Sequence, residues 1–334
     1  MVIRVRTINL FLLAAAVILS AQQPSQPAAT GRMVRPRFLI HVVPNLEKSL
    51  DFYHSGLDLE VISPPSPLLP ADSTLVQQAV ATNPAAFAKS ATLAIPGSSL
   101  QLLLIEFSGI ERKPFTQHLY DPGITRFSIQ VRDIDKAFDK VKDRVLAVPT
   151  TSAGPVYTQR PRNNTRAVMM NDPDGFVFEF VQAGAPPKTD VPETSNIYNA
   201  RSSLALESME KSLAFYRDIL GFTLNSAPAF INDAVLALEG TPRARVRSAP
   251  SMPPGSDNMW VLWEFNDIDR TKHVPNVQDP GASALSLQVE NLEGLFKAIR
   301  SAGLPVESGP APLNKGHRGA LVRSPDGLLI ELYE

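Results

Sequence analysis

The apolar positions along the chain predict a short series of elements that recurs. An apolar run at 37–43 predicts a strand, and Asn45 is a suitable N-cap for a helix after it. That helix has one apolar stripe at spacings of four, three and four residues, formed by Leu46, Leu50, Tyr53 and Leu57. Three more strands are predicted at 59–62, 91–95 and 100–107. The first hundred residues therefore contain the order βαβββ.

The same order then follows three more times. The next unit has its first strand at 125–131 and its helix at 133–145. In the second half of the chain, the segment EKSLDFY at 47–53 recurs as EKSLAFY at 210–216. We therefore predict an α+β protein built from four βαβββ modules. Because a lone module exposes one face of its sheet, the modules should pair into two domains, each a curled mixed sheet around a cleft.

The first residues of the chain are typical of an export signal. Arg4 and Arg6 precede an apolar run at 10–19, and Ser20-Ala21 offers small residues for cleavage. Ten apolar residues are too few to span a bilayer. We predict a mature protein that is periplasmic or secreted and not held in a membrane, with an uncleaved anchor as the alternative.

The segments between the modules set the predicted boundaries. Gln, Pro and Ala dominate the stretch after the signal, and prolines crowd the stretch between the two halves, so neither should form regular structure. We expect a signal peptide at 1–21, a flexible leader at 22–34, a first domain at 35–183, a linker at 184–198 and a second domain at 199–334.

Composition narrows the class of partner. The 32 Lys and Arg residues nearly balance the 33 Asp and Glu residues without long runs of one sign, which gives no support for nucleic-acid binding. The chain has no cysteine, which excludes disulfides, thiolate metal sites and cysteine nucleophiles. A small-molecule ligand is the expected partner, bound by a monomer with tandem domains or by a homodimer.

The motifs of the modules resemble a known family. A strand followed by xLExSLxFYxxxLG, and a close with DPDGxxxE, is similar to the vicinal oxygen chelate superfamily, which includes glyoxalase I, extradiol dioxygenases and the bleomycin resistance proteins. The resemblance covers roughly residues 35–334. It implies paired βαβββ modules and, in the enzymes, a divalent metal held in the cleft by His, Gln or Glu from the first and last strands. That metal would polarise adjacent substrate oxygens.

This resemblance places the metal ligands at eight positions of the chain. The first-strand positions hold Phe38, Arg126, Arg201 and Ala284, and the last-strand positions hold Gln101, Glu179, Met259 and Glu331. No histidine is among them. A guanidinium about 4 Å from a divalent ion would cost roughly 8 kcal/mol at an effective dielectric constant near 20. We therefore expect no metal and no other cofactor. If a metal were bound, its ligands would come from Gln101, Glu179, His41 or Glu331.

His41 is the one histidine in a predicted first strand. Alternation along the strand puts it on the same face as Leu39 and Val43, toward the helix, and a one-residue bulge would turn it into the cleft. The other histidines, His54, His118, His273 and His317, are expected to be solvated.

The arginines at the ligand positions leave two interpretations open. Arg126 is expected to share the cleft of the first half with Glu179, and Arg201 the cleft of the second half with Glu331. Each arginine either neutralises its buried glutamate or binds a carboxylate or phosphate through its guanidinium. Further candidates for the ligand-binding clefts, on the same strand faces, are Gln130, Ser128, Gln288 and Ser286.

Two other segments are weaker candidates for a functional role. The long stretch 63–89 is either a lid over the first cleft or a cover for a sheet edge. Arg243, Arg245 and Arg247 alternate along a possible strand, where they either keep an edge solvated or present three cations to an anion.

Two classes of function remain open from the sequence. The first is an exported, metal-free member of the family that binds a small organic molecule, either neutral or anionic, in its clefts. The alternative is a metal-dependent lyase or extradiol-type dioxygenase. A third interpretation, a structural or partner-binding protein, predicts filled clefts. The sequence leaves open whether the protein is an enzyme, and it names no substrate.

Overall fold

The structure is a computed structural model that describes residues 31–115, 117–159, 164–185 and 187–334. The predicted signal peptide at 1–21 lies outside the described residues. No helix in the described part is both long and apolar enough to cross a membrane.

Modules 1 and 2 occupy the first half of the chain. Module 1 consists of β1 (Arg32–Val42), α1 (Leu46–Asp51), β2 (Glu60–Leu68), α2 (Thr74–Thr82), β3 (Phe87–Ala94) and β4 (Gln101–Ser108), and α1 continues as a π-helical turn over Phe52–Gly56. Module 2 consists of β5 (Thr125–Val131), α3 (Ile134–Val141), β6 (Val156–Gln159), β7 (Thr165–Asn171) and β8 (Val177–Gln182).

Modules 3 and 4 repeat these elements in the second half. Module 3 consists of β9 (Ile197–Leu206), α4 (Met209–Tyr216), β10 (Thr223–Leu224), β11 (Ala229–Phe230), α5 (Asp233–Leu238), β12 (Arg245–Met252) and β13 (Trp260–Asn266). Module 4 consists of β14 (Ser283–Glu290), α6 (Leu292–Ser301), β15 (Val306–Pro312), a 3-10 turn (Asn314–Gly316), β16 (Arg318–Arg323) and β17 (Leu329–Tyr333). The predicted four-module α+β fold is confirmed.

The main helix of each module begins at a side-chain N-cap, and Asn45 is the cap that the sequence predicts for α1. The side chain of Asn45 accepts from the Lys48 N–H at 2.9 Å, and that of Asp133 accepts from the Lys136 N–H at 3.0 Å. Ser208 and Asn291 cap α4 and α6 in the same way. These bonds satisfy backbone donors that a helix N-terminus otherwise leaves unpaired.

The modules pair in an order that differs from the expected one. Sheet A has the strand order β15-β16-β17-β14-β1-β4-β3-β2, and sheet B has the order β10-β12-β13-β9-β5-β8-β7-β6, with β11 also on β12. Module 1 therefore pairs with module 4, and module 2 with module 3. The idea that each half of the chain closes its own cleft was wrong. The strand that follows the linker, β9, pairs antiparallel with β5, and β1 pairs antiparallel with β14.

Each sheet buries both of its faces. The faces toward α1, α3, α4 and α6 share one large apolar core that includes residues of all four modules, among them Leu39, Phe127, Leu204 and Leu285. The opposite, concave face of sheet A packs on α2, and the concave face of sheet B packs on the segment that contains α5. We call these concave faces cleft A and cleft B.

Helix α2 decides between the two roles proposed for residues 63–89. Ser73 caps the helix, and Leu75, Val76 and Ala79 lie fully buried in cleft A. The segment therefore covers the cleft, while its first part extends strand β2 along the edge of sheet A. Helix α5 occupies the corresponding place in module 3, between the short strand β11 and β12.

Candidate functional site

A row of three polar side chains crosses the middle of cleft B. Arg201 of β9 and Glu179 of β8 are both in register with Ser128, which lies on β5 between them. Residues in register on neighbouring strands project from the same face of a sheet. That face also carries Met169 and Val181 of the cleft B core, so the row lies among apolar side chains.

The members of this row have no polar partners within the part of the chain that the structure describes. Ser128 is 1% exposed, and its hydroxyl makes no hydrogen bond. Arg201 and Glu179 are partly buried, and neither forms a hydrogen bond or an ion pair with a described residue. A buried hydroxyl without a partner costs free energy, so the row is suited to a polar group that enters from outside.

Arg126 lies on the same face of β5, deeper in cleft B, and it pairs with Glu239. One guanidinium nitrogen donates to the Glu239 carboxylate at 2.7 Å, and the other donates to the backbone oxygen of Leu119 at 3.2 Å. Both side chains of the ion pair are almost fully buried. Arg126 and Glu179 share a cleft as expected, but the interpretation in which Arg126 neutralises Glu179 was wrong. The segment after α5 inserts a different carboxylate, and sequence reasoning missed it because Glu239 lies outside the recurring motifs.

Burial dominates the electrostatics of this ion pair. Loss of solvation raises the pKa of Glu239, the positive charge of Arg126 opposes that rise, and the nearby charge of Glu179 adds to it. The indole nitrogen of Trp263 and the hydroxyl of Thr241 are also buried without partners among the described residues. Cleft B thus contains several polar groups that the protein itself leaves unsatisfied.

Cleft A contains the equivalent row, and there the polar groups are satisfied. Gln101, Phe38, Ser286 and Glu331 lie in register across β4, β1, β14 and β17. One oxygen of Glu331 accepts from the Ser286 hydroxyl at 2.7 Å. Its other oxygen accepts from the Thr74 N–H at 3.0 Å, the Thr74 hydroxyl at 3.0 Å and the Ser73 hydroxyl at 3.2 Å.

Glu331 therefore holds the first turn of α2 in the cleft. A carboxylate at a helix N-terminus accepts unpaired backbone donors and interacts favourably with the helix dipole. The expected sharing of a cleft by Arg201 and Glu331 was wrong, because Arg201 belongs to sheet B and Glu331 to sheet A.

Arg37 is a cleft A residue that the sequence did not single out. Its guanidinium lies 3.6 Å from the ring centre of Tyr333 and donates to the Ser286 hydroxyl at 3.4 Å. Burial lowers its pKa, and the charge of Glu331 opposes that shift. A register shift in β1 between Pro36 and Phe38 accompanies this placement, and strict alternation does not predict it.

Of the remaining glutamines of the predicted set, Gln101 lies at the end of the cleft A row, while Gln288 and Gln130 lie two residues along their strands from the serines. The side chain of Gln288 accepts from Arg35 at 2.8 Å. Gln130 is partly buried and in register with Asn199 of β9. Gln101 is partly buried and makes no side-chain hydrogen bond to a described residue.

His41 lies on the helix side of β1, outside both clefts. Its Nδ1 is 3.2 Å from the Tyr53 hydroxyl, and its ring stacks on Phe176 at 3.8 Å between ring centres. Burial lowers the pKa of His41 to about 3, so it is neutral at ordinary pH. No bulge turns it toward Gln101 or Glu331.

The family's metal positions hold residues that do not fit a divalent ion. Cleft A offers only the Gln101 and Glu331 side chains, and both Glu331 oxygens already bind α2 and Ser286. Cleft B offers Glu179 beside Arg126 and Arg201. Across the described ranges, no group of three or more His, Asp or Glu side chains is arranged to hold a metal ion. Neither cleft supplies the imidazole-rich donor set of the family's enzymes.

The other candidates from the sequence lie outside the rows. His118 and His273 both approach the Asp121 carboxylate, at 3.2 and 3.3 Å. Arg247 binds Glu264 at 2.5 Å and Glu210 at 2.9 Å, so it is not part of a free cationic triad.

The comparisons with known proteins agree with this architecture. The family model of the Glyoxalase/Bleomycin resistance protein/Dioxygenase superfamily matches residues 38–180 and 201–332. A lactoylglutathione lyase from Oryza sativa subsp. japonica is 28% identical over 102 residues, which is 30% of this chain and 31% of that protein. The match therefore spans about a third of the length of that relative.

Solved structures resemble the chain over nearly its whole length. Glyoxalase I from Zea mays aligns with a TM-score of 0.61 at 16% identity, over 91% of this chain and 92% of that chain. A putative dioxygenase from Bacillus subtilis aligns with a TM-score of 0.52 at 13% identity, over 90% of this chain and 85% of that chain. At such identities the likeness establishes the fold alone.

Proposed function

Because this chain belongs to the Glyoxalase/Bleomycin resistance protein/Dioxygenase superfamily but lacks a suitable donor set at the metal positions, we propose that it binds a small organic molecule in cleft B without a divalent ion. The row of Arg201, Ser128 and Glu179 carries this proposal. It occupies the centre of the cleft, and its polar groups have no partners among the described residues.

The chemistry of the row suits a polar ligand with an apolar body. The guanidinium of Arg201 offers a planar set of donors that matches a carboxylate or phosphate. Ser128 donates or accepts a hydrogen bond, and Glu179 accepts from a donor group. Met169, Val181 and the partly buried Trp263 supply apolar contact on the same face.

We also propose that the mature protein acts outside the cytoplasm, after removal of residues 1–21. The basic start, short apolar run and small residues at Ser20-Ala21 support this. Intact-mass measurement of natively expressed protein should show a chain that begins at Gln22. A mass that includes residues 1–21 would contradict cleavage, and recovery in the cytoplasmic fraction would contradict export.

A metal-dependent lyase or dioxygenase is the second candidate. The local similarity to a lactoylglutathione lyase favours it. In this structure it would require Glu331 to give up its bonds to α2, so that Glu331 and Gln101 could face an ion in cleft A. This candidate predicts about one equivalent of divalent metal per chain and a lower melting temperature after chelation.

The decisive experiment combines metal analysis with a ligand screen. Elemental analysis of the purified full chain should find no stoichiometric Zn, Ni, Mn or Fe. A thermal-shift screen of small organic acids, amines and zwitterions should find ligands that raise the melting temperature of the parent and not of Arg201→Gln. The matched control is Arg37→Gln in cleft A, which should respond like the parent. A metal-loaded protein, or ligands that depend on Arg37 and not on Arg201, would overturn the proposal.

A further inference from the structure

We infer that the ligand of cleft B is a small zwitterion, with a carboxylate that binds Arg201 and a protonated amine that binds Glu179. The inference rests on the proposed function, which it narrows to one class of molecule. It starts from the fact that the two opposite charges lie on one face of sheet B and do not pair with each other.

The spacing of the strands separates the two charges. Neighbouring strands lie roughly 4.8 Å apart, so the Cα atoms of Arg201 and Glu179, one strand on either side of Ser128, are separated by roughly 10 Å. Their side chains form no ion pair, and the Ser128 hydroxyl between them is unsatisfied. A ligand that satisfies all three must have opposite charges at its two ends and a hydrogen-bonding group between them.

The charges deeper in the cleft favour a zwitterion over a simple anion. Arg126 and Glu239 neutralise each other, so the free charges of the row are one positive and one negative. A monoanion would satisfy Arg201 but would bring a second negative charge toward Glu179. A cation beside Glu179 would also offset the repulsion that Glu179 exerts on the buried Glu239 carboxylate.

The length of the row sets the size of the zwitterion. Each residue of an extended peptide adds at most about 3.5 Å, so the charged ends of a dipeptide lie roughly 5 to 7 Å apart. That length fits between two side chains whose Cα atoms are roughly 10 Å apart. The amide of such a ligand could bond to the Ser128 hydroxyl, and the unpartnered indole N–H of Trp263 offers one more donor. Dipeptides and ω-amino acids are therefore the ligand class that the row favours.

The test uses the full chain and three related probes. L-alanyl-L-alanine has both charges, its N-acetyl derivative lacks the amine, and its C-terminal amide lacks the carboxylate. Isothermal titration and thermal shift, with each probe at up to about 10 mM, should show that each blocked peptide binds at least about tenfold more weakly than the free dipeptide. A parallel panel of other dipeptides and ω-amino acids covers side-chain preference.

Two variants show which charged end of the ligand binds Glu179 and which binds Arg201. Glu179→Gln should remove the preference for the free amine while the preference for the free carboxylate remains. Arg201→Gln should remove the preference for the carboxylate while the preference for the amine remains. If Glu179 or Arg201 had only a structural role, its replacement would weaken the binding of all three probes to the same extent. Arg37→Gln in cleft A is the matched control and should bind all three probes like the parent.

The outcomes separate this inference from the proposal beneath it. Binding of simple anions that depends on Arg201 and ignores the amine would overturn the zwitterion and leave the cleft B proposal in place. No response to any zwitterion of the panel would also overturn the inference. A stoichiometric metal, with no small molecule bound through Arg201, would overturn both.

Discussion

The two clefts have the same arrangement of strands, but their polar side chains differ in whether they form hydrogen bonds. In both, a serine is in register with a glutamate on one neighbouring strand. On the other neighbouring strand it is in register with Phe38 in cleft A and with Arg201 in cleft B. In cleft A, Ser286 donates to Glu331, which also holds the first turn of α2. In cleft B, Ser128 and Glu179 make no such bond. The two clefts therefore place polar side chains at the same register positions, and single residues decide whether those side chains bond to other groups of the protein.

The two covering segments show the same divergence. Segment α2 is anchored through its N-terminus by a carboxylate of sheet A. The segment that contains α5 is anchored past its C-terminus, where its own carboxylate, Glu239, reaches Arg126 of sheet B. The anchoring carboxylate belongs to the sheet in cleft A and to the covering segment in cleft B. Both oxygens of Glu331 accept hydrogen bonds, whereas one oxygen of Glu239 has no hydrogen-bond partner among the described residues.

The largest expected effect tests the anchor of cleft B. Arg126→Ala leaves Glu239 buried without its cation and should lower the free energy of unfolding by about 3 to 5 kcal/mol in urea denaturation. The double replacement Arg126→Met with Glu239→Leu should recover most of that loss. Arg201→Ala, which breaks no hydrogen bond or ion pair with a described residue, should stay within about 0.5 kcal/mol of the parent. Equal losses of stability for Arg126→Ala and Arg201→Ala would contradict the conclusion that only Arg126 of these two arginines has a structural ion pair.

The second test extends the comparison to the junctions between consecutive modules. Asp172 accepts from the Tyr53 hydroxyl at 2.5 Å, whereas Ser324 takes the corresponding place before the second Pro-Asp-Gly turn. Burial raises the pKa of Asp172 to about 7. The folded state therefore binds a proton that the unfolded state releases, so the contribution of Asp172 to stability is full below about pH 4 and is lost as the pH rises to about 7.

The measurement is the difference between parent and variant across pH. The stability of Asp172→Asn relative to the parent should rise by roughly 2 to 4 kcal/mol between about pH 4 and pH 7. His41, whose pKa burial lowers to about 3, contributes the opposite slope in both proteins and cancels in the difference. Ser324→Asn is the control at the other junction and should show no such trend. A flat difference for Asp172→Asn would contradict a protonated, buried Asp172.

The third test compares the two glutamates of the rows. Glu331→Ala leaves the Ser286 hydroxyl and the first donors of α2 without an acceptor and should cost about 2 to 3 kcal/mol. Glu179→Ala removes no hydrogen bond to a described residue and should change stability by less than about 0.5 kcal/mol, or stabilise slightly, because it relieves repulsion on Glu239. Denaturant unfolding of both variants measures this. Similar losses at the two positions would mean that Glu179 also has a structural partner.

The smallest effect concerns the central serines. Ser286→Ala removes a donor to Glu331 and should cost about 1 kcal/mol. Ser128→Ala removes a buried hydroxyl without a partner and should be neutral or stabilising by up to about 1 kcal/mol. A loss of stability at Ser286 together with a gain at Ser128 would support the difference between the two clefts. A loss of about 1 kcal/mol in the free energy of unfolding for Ser128→Ala would show that the Ser128 hydroxyl has a hydrogen-bond partner.

Much of the fold follows from local sequence signals. The N-caps Asn45 and Asp133, the apolar stripes of the helices and the recurring motifs are all read within a few residues, and the structure has those elements in that order. Module pairing is different, because it joins strands that are far apart in the sequence. Since all four first strands have similar apolar faces, periodicity alone does not tell β1 to pair with β14 rather than with β5.

The site was predictable to a lesser degree. The register of the motifs brought Ser128, Glu179 and Arg201 forward as candidates, and the structure brings these three together in one row. The partner of Arg126 was missed, because Glu239 lies in an inserted segment that has no counterpart in the repeated motifs. Arg37 was missed because β1 departs from regular alternation between Pro36 and Phe38.

The nested pairing of the sheets has a consequence for the order of folding. Sheet B uses one continuous stretch of chain from module 2 to module 3, whereas sheet A joins its two ends, with Arg37 and Ser286 in contact across 249 residues. Closing so long a loop costs more chain entropy than closing the short linker between β8 and β9, unless the intervening chain is already compact. We expect sheet B to form first and to shorten that loop, so a pulse-labelling experiment should protect amides of β5 and β9 before those of β1 and β14. A nascent chain that holds only modules 1 and 2 exposes two apolar strand edges, β1 and β5, which makes pairing between two incomplete chains the chief hazard during synthesis.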